Sequence, residues 1–200
     1  MPALPRLLIV PLLWAVACGG DPSAAEAAPT TPPWPQLAAA ALAPAQQAQL
    51  AKADQARGAL AQRLLAELSK AIDTHGTRSA ISVCKVRAPE LATEVAAEHG
   101  LRLGRTSHRL RSRDNRPPGW AKAAVDGDDA PKFFAGPAGE LGVLQPILLQ
   151  PMCVQCHGQP DQLAEGVSEA LLRLYPDDRA TGFAPGQRRG WFWIEVPKAP

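Results

Sequence analysis

The sequence predicts an α+β domain. Helix-forming residues with apolar side chains at helical spacing fill the chain from Gln46 to Glu98, and short apolar runs bounded by glycine and proline follow as far as Val196. Helices first and strands afterwards is the order of an α+β fold, not of alternating βαβ units. At 200 residues, of which 46% are hydrophobic, the chain is long enough for one domain with a core.

The helical part is predicted as one long helix followed by a second that continues to Glu98, or by two short helices divided at Pro89. The long helix spans 46–72 and ends at Gly76, because one face carries Leu50, Leu60, Leu64, Leu68 and Ile72. The second helix begins at Thr77 or Ser79, whose hydroxyls can cap it. Pro89 suits the first turn of the third.

The strands are predicted where apolar runs are short and turn residues separate them. These runs cover 101–107, 133–134, 141–149 and 191–196. The segment 111–119 holds two prolines and is predicted to be a loop. A last helix is predicted over 161–174, with Pro176 stopping it.

The amino terminus predicts export and a lipid anchor. Residues 1–17 resemble a signal peptide, with one basic residue, a short apolar run and small residues leading to Cys18. That order resembles a bacterial lipobox, so diacylation of Cys18 would hold the protein at the periplasmic side of a membrane. A soluble periplasmic protein is the alternative. Residues 18–45 are rich in alanine and proline and predict a disordered tether, which leaves 46–200 as the functional domain.

The run Cys153-Val154-Gln155-Cys156-His157 predicts covalent attachment of one c-type haem. Two thiols one helical turn apart can add to the two vinyl groups of a porphyrin, and the adjacent imidazole can then bind the iron. Two alternatives use the same residues. One is a structural zinc site with Cys84 as the fourth ligand, and the other is a redox dithiol, which usually occurs in a thioredoxin-like βαβ context.

The second axial ligand of such a haem is not determined by spacing. After signal cleavage the only methionine is Met152, directly before the attachment motif, where it cannot easily reach the opposite face of the haem. The candidates that remain for the second axial position are His75, His99, His108 and Cys84, or the position is open.

Several separated strings are similar to one known family. They include Ile81-Ser82-Val83-Cys84, Gly104-Arg105-Thr106-Ser107 and the run from Tyr175 to Phe183 with Arg189-Gly190, in order along the domain from about Gln46 to Val196. The chain therefore resembles the exported c-type haem domains of unknown function. The resemblance implies a PAS-like antiparallel sheet flanked by helices, with His157 and Cys84 as the two axial ligands of the iron.

This resemblance implies electron transfer or redox sensing, not turnover of a substrate. An alternative is a haem-based sensor of redox state or of carbon monoxide or nitric oxide, signalling to a separate partner. A further alternative is a zinc-stabilised binding module. We expect no catalytic residues. We also expect no nucleic-acid partner, because the net charge is only +2. The expected partner is a redox protein that the sequence does not identify.

The segment from Arg102 to Arg116 holds six arginines. We expect one or two of them, Arg105 first, to pair with haem propionates, because a guanidinium binds a carboxylate through two hydrogen bonds. At least four are expected in solvent. A solvated basic loop is the first interpretation of these residues, and a docking patch for an acidic redox partner is the alternative.

Overall fold

A computed structural model describes residues 33–199. Five helices are present: α1 (Pro44–His75), α2 (Thr77–Lys85), α3 (Arg87–His99), α4 (Val154–His157) and α5 (Val167–Leu174). Five strands form one sheet: β1 (Gln36–Leu37), β2 (Arg102–Thr106), β3 (Lys132–Ala135), β4 (Leu141–Leu148) and β5 (Arg188–Val196). The predicted α+β class is confirmed. The short strand β1 precedes the three long helices, and α4 and α5 lie between β4 and β5.

The sheet is antiparallel throughout, with strand order β1-β3-β4-β5-β2. The central pair, β4 and β5, runs in register from Leu141 opposite Val196 to Leu148 opposite Arg188, with one irregularity beside Ile147. Helices α1 and α3 cover one face of the sheet. The core there is made of leucine, valine, isoleucine and phenylalanine side chains, including Leu60, Leu91, Val95, Leu103, Val143, Phe192 and Ile194.

Tryptophans dominate the opposite face of the sheet. The 3₁₀ turn Gly119–Ala124 places Trp120 against this face, and the Trp120 indole donates to Glu195 Oε1 at 2.7 Å. The indole of Trp191, fully buried on β5, donates to the carbonyl oxygen of Val125 at 3.0 Å. Both buried N–H groups are therefore satisfied, and the segment after Pro118 is held on the sheet.

The carboxyl-terminal part of the predicted tether belongs to the folded domain. Trp34 stacks on Trp120 with 5.2 Å between ring centroids, β1 pairs with β3, and Leu42 is buried. The boundary at 45/46 was therefore placed too late, because prolines exclude a helix but allow an edge strand. The signal peptide predicted over 1–17 and the lipidation predicted at Cys18 lie outside the described residues.

The helix predicted over 161–174 is shorter than expected. Pro160 begins a separate 3₁₀ turn, Pro160–Gln162, and Gly166 has φ of 72°, a left-handed conformation that a helix interior excludes. Helix α5 therefore starts at Val167. Within residues 33–199, no helix combines the length and the hydropathy needed to cross a bilayer.

Candidate functional site

The predicted attachment motif forms a short helical turn. Cys153 closes the 3₁₀ turn Pro151–Cys153, and Cys156 lies three residues later in α4. Side chains three positions apart lie on the same side of a helical turn. Both thiols are free, and burial raises the pKa of Cys156 to about 11. The two sulfurs are thus available on one side of the turn for bonds to a single group.

His157 is held by the segment 180–183. Its Nδ1 atom lies 2.7 Å from the carbonyl oxygen of Ala180, and its own carbonyl oxygen accepts from the backbone N–H of Phe183 at 2.9 Å. Burial and the positive charges of Arg111 and Arg189 hold the pKa of His157 well below its usual value, so the ring is neutral. A neutral ring that donates from Nδ1 leaves the lone pair of Nε2 free for a metal.

Arg189 makes a second contact with the same ring nitrogen. Its Nε atom lies 3.1 Å from His157 Nδ1, and Nδ1 cannot accept from Arg189 while donating to Ala180. We assign the proton to Nδ1 because the contact with Ala180 is shorter and a carbonyl oxygen can only accept. Arg189 then packs beside the ring, and its Nη1 donates to the carbonyl oxygen of Arg109 at 3.3 Å.

Arg111 connects the helical turn to the segment that holds His157. Its buried guanidinium pairs with Asp178 and donates to two carbonyl oxygens, that of Cys156 at 2.7 Å and that of Ala180 at 3.3 Å. The Nη1 atom is buried and meets no acceptor among the described residues. Since a buried unpaired donor is costly, this atom marks a place for an acceptor that the protein itself does not supply.

Cys84 lies on the side of α2 that faces the attachment motif. Ile81, one turn earlier, is buried in a cluster against which Cys156 packs and to which Tyr175 belongs. The Cys84 thiol lines a cavity of about 200 Å³ together with Tyr175 and Lys85. Cys84 is therefore brought towards the motif from a helix 70 residues earlier in the chain.

A second cavity, of about 160 Å³, lies beside the attachment motif. It is lined by Cys153 and His157, with Arg105 and Arg189 among its other walls. Arg111 and Asn115 line both this cavity and the one at Cys84. Cys84 and His157 thus line two cavities that share Arg111 and Asn115 as wall residues.

Arg105 is half-buried, and no carboxylate within residues 33–199 pairs with its guanidinium. The guanidinium lines the cavity at His157 and has Cys84 and Tyr175 as its neighbouring titratable groups. Burial lowers the pKa of Arg105, and burial likewise lowers the pKa of Arg189 to about 9, with nearby Arg111 adding to the effect. Arg105 and Arg189 both line the cavity at His157 and form no ion pair with a carboxylate in the described part of the chain, which favours a ligand with negative charge.

The three histidines considered as alternative axial ligands differ in their distance from the two cavities. His75 and His99 end α1 and α3, and neither lines the two cavities. His108 packs edge-on against Phe183, with 5.9 Å between ring centroids, and lines a separate cleft. Cys84 and His108 each line a space that shares wall residues with the cavity at His157, whereas His75 and His99 do not.

A zinc site finds no support in the side-chain geometry. It requires Cys84, Cys153, Cys156 and His157 to converge on one ion. Within residues 33–199, no group of three or more histidine, cysteine or acidic side chains lies close enough to hold a metal ion.

The arginine-rich segment is less solvated than predicted. Three of the six arginines are exposed, and the other three are Arg105, Arg109 and Arg111. Arg109 lies over the ring of Phe183 at 4.3 Å and donates to backbone carbonyls of Arg179 and Thr181. The expectation of at least four solvated arginines is therefore wrong. Arg109 and Arg111 are partly or fully buried because they donate hydrogen bonds to carbonyl oxygens of the segment 179–181.

Sequence reasoning did not identify Arg111 or Ala180 as part of the site. One signal was available. Asp178 belongs to the run from Tyr175 to Phe183 that carries the family resemblance, and its buried ion-pair partner is Arg111. Lys85 and Arg87 were the cations nearest to Cys84 in sequence. Arg87 instead pairs with three glutamates at 67, 90 and 94, whereas Lys85 lines the cavity at Cys84. Arg111 lines both cavities, and Arg105 and Arg189 line the one at His157.

Comparison with known proteins gives one family and one fold. The family model described as Tll0287-like matches residues 36–197. A solved structure, the crystal structure of the cyanobacterial heme-protein Tll0287, is similar with a TM-score of 0.59 at 22% sequence identity, over 79% of this chain and 98% of that one. No curated protein matches the sequence. The match to the family model covers most of the chain, and the protein belongs to the Tll0287-like family.

Proposed function

We propose that the protein is an exported c-type cytochrome-like protein with one covalent haem, acting in electron transfer or redox sensing. Cys153 and Cys156 would form the thioether links, and His157 and Cys84 would be the axial ligands. The observation that carries the proposal is the contact between His157 Nδ1 and Ala180 at 2.7 Å, next to two free thiols. It leaves Nε2 of a neutral imidazole available beside the two attachment sulfurs.

The surrounding residues fit such a group. Three arginines could pair with the two carboxylates of haem. The Nη1 atom of Arg111 has no acceptor within residues 33–199, and Arg105 and Arg189 line the cavity without carboxylate partners there. When bound, haem supplies a one-electron ferric–ferrous couple. Ala180 fixes the imidazole orientation, and a thiolate at Cys84 would stabilise the ferric state and lower the reduction potential relative to histidine–methionine ligation.

A sensor is the second candidate, and one contrast between the ligands favours it. His157 is fixed by hydrogen bonds to both its ring and its backbone. The Cys84 thiol is free and partly buried, and it lines a cavity. Reduction and protonation could therefore release Cys84 while His157 stays, and the freed position would accept carbon monoxide or nitric oxide. In this role the protein would signal to a separate partner.

The location and the finer fold description are also proposals. Anchoring at the periplasmic side of a bacterial membrane through acylated Cys18 rests on the lipobox resemblance, and c-type haem attachment outside the cytoplasm is consistent with it. A PAS-like architecture is supported by the five-stranded antiparallel sheet with helices on one face. We propose no catalytic residues.

The experiment is expression in a host that assembles c-type cytochromes. We expect a coloured protein whose haem stays with the denatured polypeptide and shows the spectrum of two thioether links. The variants Cys153→Ala and Cys156→Ala should each leave only one link. A colourless product from the wild-type chain, with normal maturation of a known cytochrome in the same cells, would overturn the proposal.

A further inference from the structure

An open cleft with exposed arginines lies beside the candidate site. We name it the arginine cleft. It has a volume of about 600 Å³, and its charged walls are Arg111, Arg113, Arg116, Arg179, Asp177 and Asp178. Arg113, Arg116 and Arg179 are exposed. The cleft is therefore accessible to a macromolecule.

The cleft carries an excess of positive charge. Asp178 is fully engaged by the buried Arg111, and Asp177 pairs with Arg113 at 3.0 Å. Arg116 and Arg179 have no carboxylate within ion-pair distance among the described residues. Four arginines against two aspartates leave two positive charges, both on solvent-facing side chains, where they can act over a Debye length of about 10 Å.

The position of the cleft connects it to the proposed redox centre. Ser107, Leu110 and Arg111 line both the arginine cleft and the cavity that contains His157 and Cys153. The two spaces therefore share a wall one residue thick. A molecule seated in the cleft would be close to any group bound at His157.

We propose that the arginine cleft is the docking surface for an acidic redox protein, an inference that rests on the proposed function. Carboxylates of the partner would face Arg116 and Arg179, which steers encounter and orients the two redox centres. In the exchange, one electron leaves the reduced centre of the partner, which becomes oxidised, and the ferric haem becomes ferrous. No bond is made or broken.

The experiment uses the haem-loaded protein and an acidic [2Fe–2S] ferredoxin as the probe. Stopped-flow absorbance measures reduction of the haem by the reduced ferredoxin, and titration calorimetry measures the affinity with both proteins oxidised. In Arg116→Glu/Arg179→Glu we expect both the rate constant and the affinity to fall about tenfold or more at low ionic strength. The wild-type rate should fall with added salt, and the variant's salt dependence should be weak.

A matched control carries the same change of charge elsewhere. Lys122 and Arg173 are exposed and do not line the cleft, so Lys122→Glu/Arg173→Glu should keep most of the wild-type rate and affinity. Arg116→Gln/Arg179→Gln should give an intermediate loss, which separates removal of attraction from added repulsion. Equal losses in the cleft and control variants would overturn the proposal, because net charge alone would then explain them.

A neutral reductant separates this inference from the proposed function. Photoreduced lumiflavin, an uncharged molecule, should reduce the wild type and all three variants at the same rate. A protein without haem fails the proposed function itself. A different outcome would contradict only the docking proposal. The protein would contain haem and be reduced normally by lumiflavin, but its rate and affinity with ferredoxin would not depend on Arg116 and Arg179.

Discussion

Arg111 donates a hydrogen bond to the carbonyl oxygen of Cys156 at 2.7 Å, although the two residues are 45 positions apart. The same guanidinium pairs with Asp178 and reaches the carbonyl oxygen of Ala180, which accepts from His157. One side chain therefore fixes the attachment turn and the carbonyl that orients the imidazole. The loop containing Arg111 is thus a structural part of the site.

Replacing Arg111 should destabilise the protein strongly. In Arg111→Met, Asp178 would remain buried without its partner, and such a loss costs about 3 kcal/mol of the free energy of unfolding. Arg113→Met is the matched control, since its ion pair with Asp177 is exposed and worth at most about 1 kcal/mol. Urea unfolding measures both. Equal midpoints for the two variants would contradict the bridging role of Arg111.

Replacing Cys84 should change the iron without removing the haem. Cys84→Ser should keep the thioether links but alter the ferric optical and paramagnetic-resonance spectra and raise the reduction potential, because a strong electron donor is lost. His157→Ala should disturb the iron more severely. Ferric spectra of Cys84→Ser identical to those of the wild type would exclude thiolate ligation and bring back the three histidines or an open position.

Gly104 is required by the ring of Trp193 on the neighbouring strand. A Cβ at position 104 would lie 2.6 Å from two ring carbons of Trp193, so Gly104→Ala should lower the free energy of unfolding by about 1–3 kcal/mol. Gly58 is the control, because a Cβ there meets nothing within 4 Å in the middle of α1. Gly58→Ala should stabilise by about 1 kcal/mol. A stabilising Gly104→Ala would show that Trp193 can move away.

Trp34 should contribute to the stability of the domain despite preceding the long helix. Trp34→Ala removes the stack on Trp120 and should cost about 2 kcal/mol, or roughly 4–8 °C in Tm for a domain of this size. Trp34→Phe, which keeps an aromatic ring there, should lose less. Differential scanning calorimetry of the three proteins measures the effect, and an unchanged Tm for Trp34→Ala would mean that the segment adds nothing to the fold.

Cys18 tests the proposed anchor. Cys18→Ser cannot be acylated, so we expect this variant in the soluble periplasmic fraction and the wild type in the membrane fraction. Mass spectrometry of the mature amino terminus should find the acyl groups. A wild-type protein that is already soluble would rule out lipidation and favour the secretory alternative.

The parts of the fold that sequence predicted well are those with local causes. Apolar spacing located α1, and Gly76 ended it near the expected position. The placement of Trp34 depends on non-local packing, which periodicity does not report. The start of α5 has a local cause, the left-handed Gly166, which apolar periodicity also does not report. The same distinction holds for the site. Cys153, Cys156 and His157 could be predicted because their spacing is local. Arg111 could not be found from spacing, because its three partners lie 45 to 69 residues away.

The contacts of His157 also determine when in synthesis its environment becomes complete. Ala180 and Arg189 lie 23 and 32 residues downstream, and Arg189 belongs to the last strand. A growing chain that has just delivered the two cysteines therefore still lacks the carbonyl that sets the tautomer of the imidazole. The imidazole of His157 thus gains its fixed orientation only after the segment 180–183 has folded against it and the final strand has joined the sheet.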